Sequence, residues 1–118
     1  WTYNQGVILG GLAHLSALLT NESYLATAVR IANTTITHRV SPSGVLDEFA
    51  LRDRDNQQFK GIFCRYLRYL LPQLGGAKYD SARAAFQTFL SKNAANVLKV
   101  DVVDAAEGPL YGALWEGP

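Results

Sequence analysis

Two stretches of this chain, 55 residues apart, carry one pattern: Gly6, Val7, Ile8, Leu12 and Leu15 align with Gly61, Ile62, Phe63, Leu67 and Leu70, and Tyr24 aligns with Tyr79. A period of that length, with room for two helices, describes stacked helical hairpins, because a single hairpin cannot bury both of its faces by itself. The expected fold is therefore all-α, two consecutive αα-hairpins spanning units 1–55 and 56–110. A further step of 55 from Gly61 reaches Glu116, so residues 111–118 are expected to begin another unit, and the chain is expected to be a portion of a longer array.

Apolar spacing places the helices. From Gly6, the residues Ile8, Leu12, Leu15 and Leu19 fall on one helical face. Leu25, Ala28, Val29, Ala32 and Ile36 make a second amphipathic helix with Ser23 as its expected N-cap. "SPSG" at 41–44 breaks the chain, a short extended stretch is expected near 44–50, and "RDRDNQQ" reads as a charged loop. Phe59, Ile62, Phe63, Tyr66, Leu67 and Leu70 give the widest stripe, which ends near Pro72 and the following glycines. A fourth helix capped by Asp80 or Ser81 buries Phe86, Phe89, Leu90 and Val97, and the Gly- and Pro-containing segment after it reads as irregular loop.

Composition narrows the function classes. Hydrophobic residues make up 48% of the 118, and the formal charge is +1, so no long-range field steers nucleic acid or an anionic membrane to this surface. Gly10, Gly11, His14 and Ser16 interrupt the longest apolar run, which excludes a helical membrane span from the pattern. Cys64 is alone and reads as a small buried residue. His14 and His38 have no metal-ligand spacing, so neither a metal nor another cofactor is expected. "NES" at Asn21 and "NTT" at Asn33 fit the N-glycosylation acceptor pattern, which points to a secreted origin.

Each repeat opens with polar residues ahead of its glycine, "YNQG" in the first and "NQQFKG" in the second. Groups at helix starts face whatever lies beyond the helix end, so both starts are expected on one rim. Tyr3, Asn4, Gln5, Gln58 and Lys60 would offer an aromatic face and several donors there, an inventory that suits a sugar. The alternative reading makes Asn4 and Gln58 helix caps and Lys60 a solvated charge. Trp1, Tyr3 and Trp115 flank the same rim, with stacking platform and plain packing equally open, whereas Tyr66 and Tyr69 are expected in the core.

"TYNQGVILGGL" together with "QFKGIFCRYLRYL" resembles glycoside hydrolase family 76, the α-1,6-mannan-acting enzymes and related fungal cell-wall transglycosidases; the likeness extends through "GVLDE" to the closing "YGALWEGP". The resemblance implies an (α/α)6 toroid of six hairpins whose inner helices line a cleft for an α-mannan chain, with the present two hairpins as about a third of it. It also implies retaining chemistry by two adjacent aspartates, one nucleophile and one general acid/base, located ahead of "TYNQG". Retention needs two carboxyl groups about 5–5.5 Å apart. No Asp-Asp pair occurs in this chain. Asp53 and Asp55, flanked by Arg52 and Arg54, read as a surface ion-pair loop, Asp101 and Asp104 as braces of the final loop, and Asp47 with Glu48 as support for the rim.

These readings lead to a secreted endo-α-1,6-mannanase-like portion with substrate-binding residues Tyr3, Asn4, Gln5, Gln58, Lys60 and Trp115 and no catalytic residue of its own. A noncatalytic glycan- or protein-binding helical module, part of a cell-wall transglycosidase, and a helical scaffold unrelated to sugars are the alternatives. With apolar faces open at both ends of the stack, the expected partners are mannan and either the remaining hairpins or further copies of the chain.

Overall fold

The computed structural model describes residues 1–48, 54–100 and 102–117. Its framework is four helices, α1 (Thr2–Leu19), α2 (Ser23–His38), α3 (Phe59–Leu70) and α4 (Asp80–Val100), followed by two short strands, β1 (Val102–Ala105) and β2 (Gly108–Tyr111).

α1 begins four residues earlier than the apolar periodicity predicts. Its first turn is polar, yet it is helical, because the amide of Thr2 finds an acceptor outside the helix, the carboxylate of Glu48. Tyr3, Asn4 and Gln5 therefore lie within the helix and not ahead of it. At the other end Thr20 takes a left-handed conformation (φ 49°) and its N–H donates to the Ser16 carbonyl. Ser23, expected as the cap of α2, is its first helical residue; Glu22 stands at the N-cap without a side-chain bond, and Asn21 ahead of it accepts the Ser23 N–H on Oδ1 at 3.0 Å.

So short a connection returns α2 antiparallel to α1, which brings Trp1 and Gln5 beside His38 and Arg39. A single-turn 3-10 segment, Asn56–Gln58, leads into α3. Pro72 sits in another such segment that ends the helix, Leu71–Gln73. α4 then runs back along α3, with the rings of Phe63 and Phe89 in edge contact at 6.3 Å.

The two hairpins meet through α1 and α3, which run parallel: Trp1 and Tyr3 touch Phe59, Gly6 abuts Phe63, and Gly10 lies under Tyr66. Leu9, Ala13, Ala28, Ala32, Phe63, Leu67, Leu70, Phe86 and Phe89 close into one core across both units. α1 itself carries no charged residue. Its Val7, Ile8, Leu15, Leu18 and Leu19 remain substantially exposed.

Near 44–50 the chain makes an isolated antiparallel bridge, Val40 with Leu46; Phe49 and Ala50 lie outside the described residues. Regular β structure stands instead at 102–111, where the sequence reads as loop. β1 and β2 pair antiparallel, Val102 opposite Tyr111 and Ala105 opposite Gly108. The period-two pattern is too short to show there; Ala106 and Glu107 form the turn that joins the strands, and Gly108 (φ 121°) opens β2 after it.

Candidate functional site

The parallel arrangement puts the starts of α1 and α3 at the same end of the molecule. Tyr3 packs on Phe59 with ring centroids 4.4 Å apart and is half-buried, so it forms the seam between the two starts. Asn4 is exposed beside it. Gln58 is exposed on the turn ahead of α3 and donates from Nε2 to Asp55 Oδ1 at 3.4 Å.

Lys60 and Trp115 come together, but below the surface. Lys60 is 3% exposed, and its ammonium lies 4.8 Å from the centroid of the Trp115 ring. Such a cation–π contact accommodates the charge where water is excluded. Lys60 is thus neither a solvated charge nor an open donor. Trp115 is held in turn by Asn96, whose Nδ2 donates to its carbonyl at 2.6 Å, while the neighbouring Glu116 accepts the hydroxyls of Ser41 and Ser43. Those two hydroxyls hold the Glu116 carboxyl below the usual carboxylate range. One turn beyond Lys60, burial pushes the Cys64 thiol up to about 12, against a smaller opposing pull from the Lys60 charge. Cys64 is accordingly a poor nucleophile.

Gln5 turns to a different side. It opens on a groove of about 450 Å³ between α1 and α2, shared with Trp1, Arg30, Thr34 and His38. The six candidate positions therefore fall into three groups around the helix starts: the Tyr3–Asn4 seam with Gln58 beside it, the Lys60–Trp115 contact toward α4, and Gln5 toward α2. Trp1, at the N-cap of α1, is 49% exposed. Tyr66 is packed against Gly10 as expected of a core residue, but Tyr69 is not; at 58% exposure it stands on the outer face of α3.

Two buried polar residues fix this end of the molecule. Glu48 is 4% exposed and accepts the Thr2 amide at 3.2 Å and the Thr2 hydroxyl on the same oxygen. Its other oxygen faces Arg39 Nη2 at 3.4 Å. A carboxylate at the positive end of the α1 dipole, backed by a guanidinium, anchors the first turn that carries Tyr3, Asn4 and Gln5. Asn93, 2% exposed on α4, accepts the Leu46 amide at 2.7 Å and donates to the Phe89 carbonyl at 2.9 Å, so it ties the 45–48 segment to the second hairpin. The sequence offers a weak signal for Glu48, as the acid closing "GVLDE", and none for Asn93.

Of the acids read from sequence, Asp47, Asp55 and Asp104 are exposed, and Asp53 and Asp101 lie outside the described residues, as does Arg52. Glu48 is the buried carboxylate nearest the helix starts, and both of its oxygens are engaged by Thr2 and Arg39. Asn21 and Asn33 are both exposed, and Asn21 meets the Ser23 N–H through Oδ1, not through its amide nitrogen. No described helix is long and apolar enough to cross a membrane.

A protein-family model, described as glycosyl hydrolase family 76, matches residues 1–115. The chain belongs to that family. No curated protein matches it.

Proposed function

From membership of glycosyl hydrolase family 76 we infer that this chain forms the substrate-binding mouth of a secreted or cell-wall hydrolase that acts on α-1,6-linked mannan. The observation that carries the reading is the placement of Tyr3 against Phe59, which joins two repeat-equivalent helix starts, each led by polar residues, at one end of the molecule. Tyr3, Asn4, Gln5 and Gln58 contact the glycan, and the Lys60–Trp115 pair supports them from beneath.

The cleavage that accompanies the family resemblance is double displacement. One carboxylate attacks the anomeric carbon and a second acid protonates the leaving oxygen; water, or a sugar acceptor in a transglycosidase, then takes up the glycosyl group. That pair is supplied from outside these 118 residues, since the sequence has no adjacent aspartates and Glu48 is committed to Thr2 and Arg39. Residues 1–55 and 56–110 are two hairpins of a larger ring, and residues 111–118 lead toward the next. Their open apolar faces take further hairpins of the ring or associate with other copies. Asn21 and Asn33 carry N-linked sugar in the secreted protein.

Incubation of the purified chain with α-1,6-mannan, followed by separation of bound polymer and analysis for released oligosaccharide, tests this reading. Binding that Asn4→Ala and Gln58→Ala each weaken, without product release, agrees with it. Release of oligosaccharide by the pure chain would place the catalytic pair inside it, and affinity unchanged in both variants would favour a scaffold unrelated to sugars.

A further inference from the structure

The groove between α1 and α2 has a floor, an aromatic wall and a polar wall. Thr2 and Arg39 line the floor, and Glu48, buried and bonded to both, already occupies the place an anion would take at the N-terminus of α1. Glu48 thereby answers both the α1 helix end and Arg39, so the floor does not call for an anionic ligand. The aromatic wall is Trp1, which keeps about half of its surface exposed while contacting Phe59. On the α2 side Arg30, Thr34 and His38 recur every four residues along one face, and all three are exposed. That spacing sets polar groups about 6 Å apart along the groove. Gln5 faces them from α1.

An aromatic surface opposed by a row of donors and acceptors, in a groove of about 450 Å³, matches a pyranose ring: one apolar C–H face and a rim of hydroxyls. We propose that this groove is a further glycan subsite holding one sugar residue, with Trp1 as its platform and Gln5, Arg30 and Thr34 as its hydrogen-bonding partners. The proposal rests on the glycan reading of the mouth and extends it, Gln5 being the residue common to both. Glu48 acts here as a positioning residue, since it fixes Thr2 between the two walls.

The test uses α-1,6-linked mannohexaose and calorimetric titration of the chain. Arg30→Ala and Thr34→Val sit at exposed helix positions, take no part in the proposed mouth, and are expected to leave the melting temperature unchanged. Each should weaken binding about fivefold, as the loss of one hydrogen-bonding group does. Binding that is unchanged in both, while Asn4→Ala and Gln58→Ala weaken it, overturns the subsite and leaves the mouth standing. No binding by the unmodified chain overturns both.

Discussion

Gly6 and Phe63 approach so closely that a methyl group on Gly6 would lie 2.7 Å from the Phe63 α-carbon. The contact is with backbone, which no side-chain rotation relieves, so the glycine sets the separation of α1 and α3. Gly61 holds the equivalent place in the second repeat, and a methyl group there meets nothing within 4 Å. The two substitutions should therefore have opposite signs. Gly6→Ala should cost about 1–3 kcal/mol by forcing the helices apart. Gly61→Ala should raise stability by a few tenths to about 1 kcal/mol through helix propensity. Urea unfolding of both variants checks the pair, and equal effects would contradict the close approach of α1 and α3 at Gly6.

Glu48→Ala should be among the most damaging single changes, because it leaves the Arg39 guanidinium and the Thr2 amide without their shared acceptor. Leaving the buried Thr2 amide and hydroxyl without an acceptor should cost about 1–3 kcal/mol. Glu48→Gln, which keeps an acceptor for Thr2, should lose less. Hydrogen exchange at the amides of residues 2–6 should rise in Glu48→Ala before the rest of α1 is affected.

The fold class was legible because apolar spacing is local: the stripe of Phe59, Phe63, Leu67 and Leu70 marks α3, and the offset to Gly6 shows that α1 repeats it. What the spacing does not carry is any bond between distant segments. α1 starts at Thr2 because Glu48, 46 residues away, satisfies its amide, and Lys60 is buried because Trp115 folds over it. The site was legible to the same degree. Glycines and polar residues repeated at helix starts identify one end of the molecule, but which groove each side chain enters depends on helix rotation. A shift of one position turns a side chain by about 100°, which separates Gln5 from Tyr3 and Asn4. The strands at 102–111 were missed because four-residue strands offer almost no periodicity.

Asn93 makes a third prediction. Asn93→Ala deletes the acceptor for the buried Leu46 amide and should cost about 1–3 kcal/mol. Asn93→Asp keeps that acceptor but turns a donor to the Phe89 carbonyl into a negative charge, and should fall below Asn93→Ala in thermal stability at pH 7.

A fourth follows from Cys64. Its thiol ionises at about 12 in the folded chain against an ordinary 9.0, so the native state holds its proton where the unfolded state has released it. This contribution to stability is complete below about pH 9 and is lost as the pH climbs toward 12. Denaturant midpoints at pH 7 and pH 10.5 should differ less in Cys64→Ala than in the unmodified chain. Alkylation of the native thiol at pH 8 should be slow and should accelerate in denaturant.

The most direct measurement is an amide and indole NMR titration of the 118-residue chain with α-1,6-linked mannohexaose, with the sugar's anomeric protons recorded in the same tube. Shifts concentrated at residues 1–6, Gln58 and the facing side of α2, with the oligosaccharide intact throughout, are the predicted result. An unperturbed spectrum at saturating sugar, or new reducing ends appearing during the titration, would contradict the assignment of this chain as a glycan-binding mouth whose catalytic acids come from elsewhere.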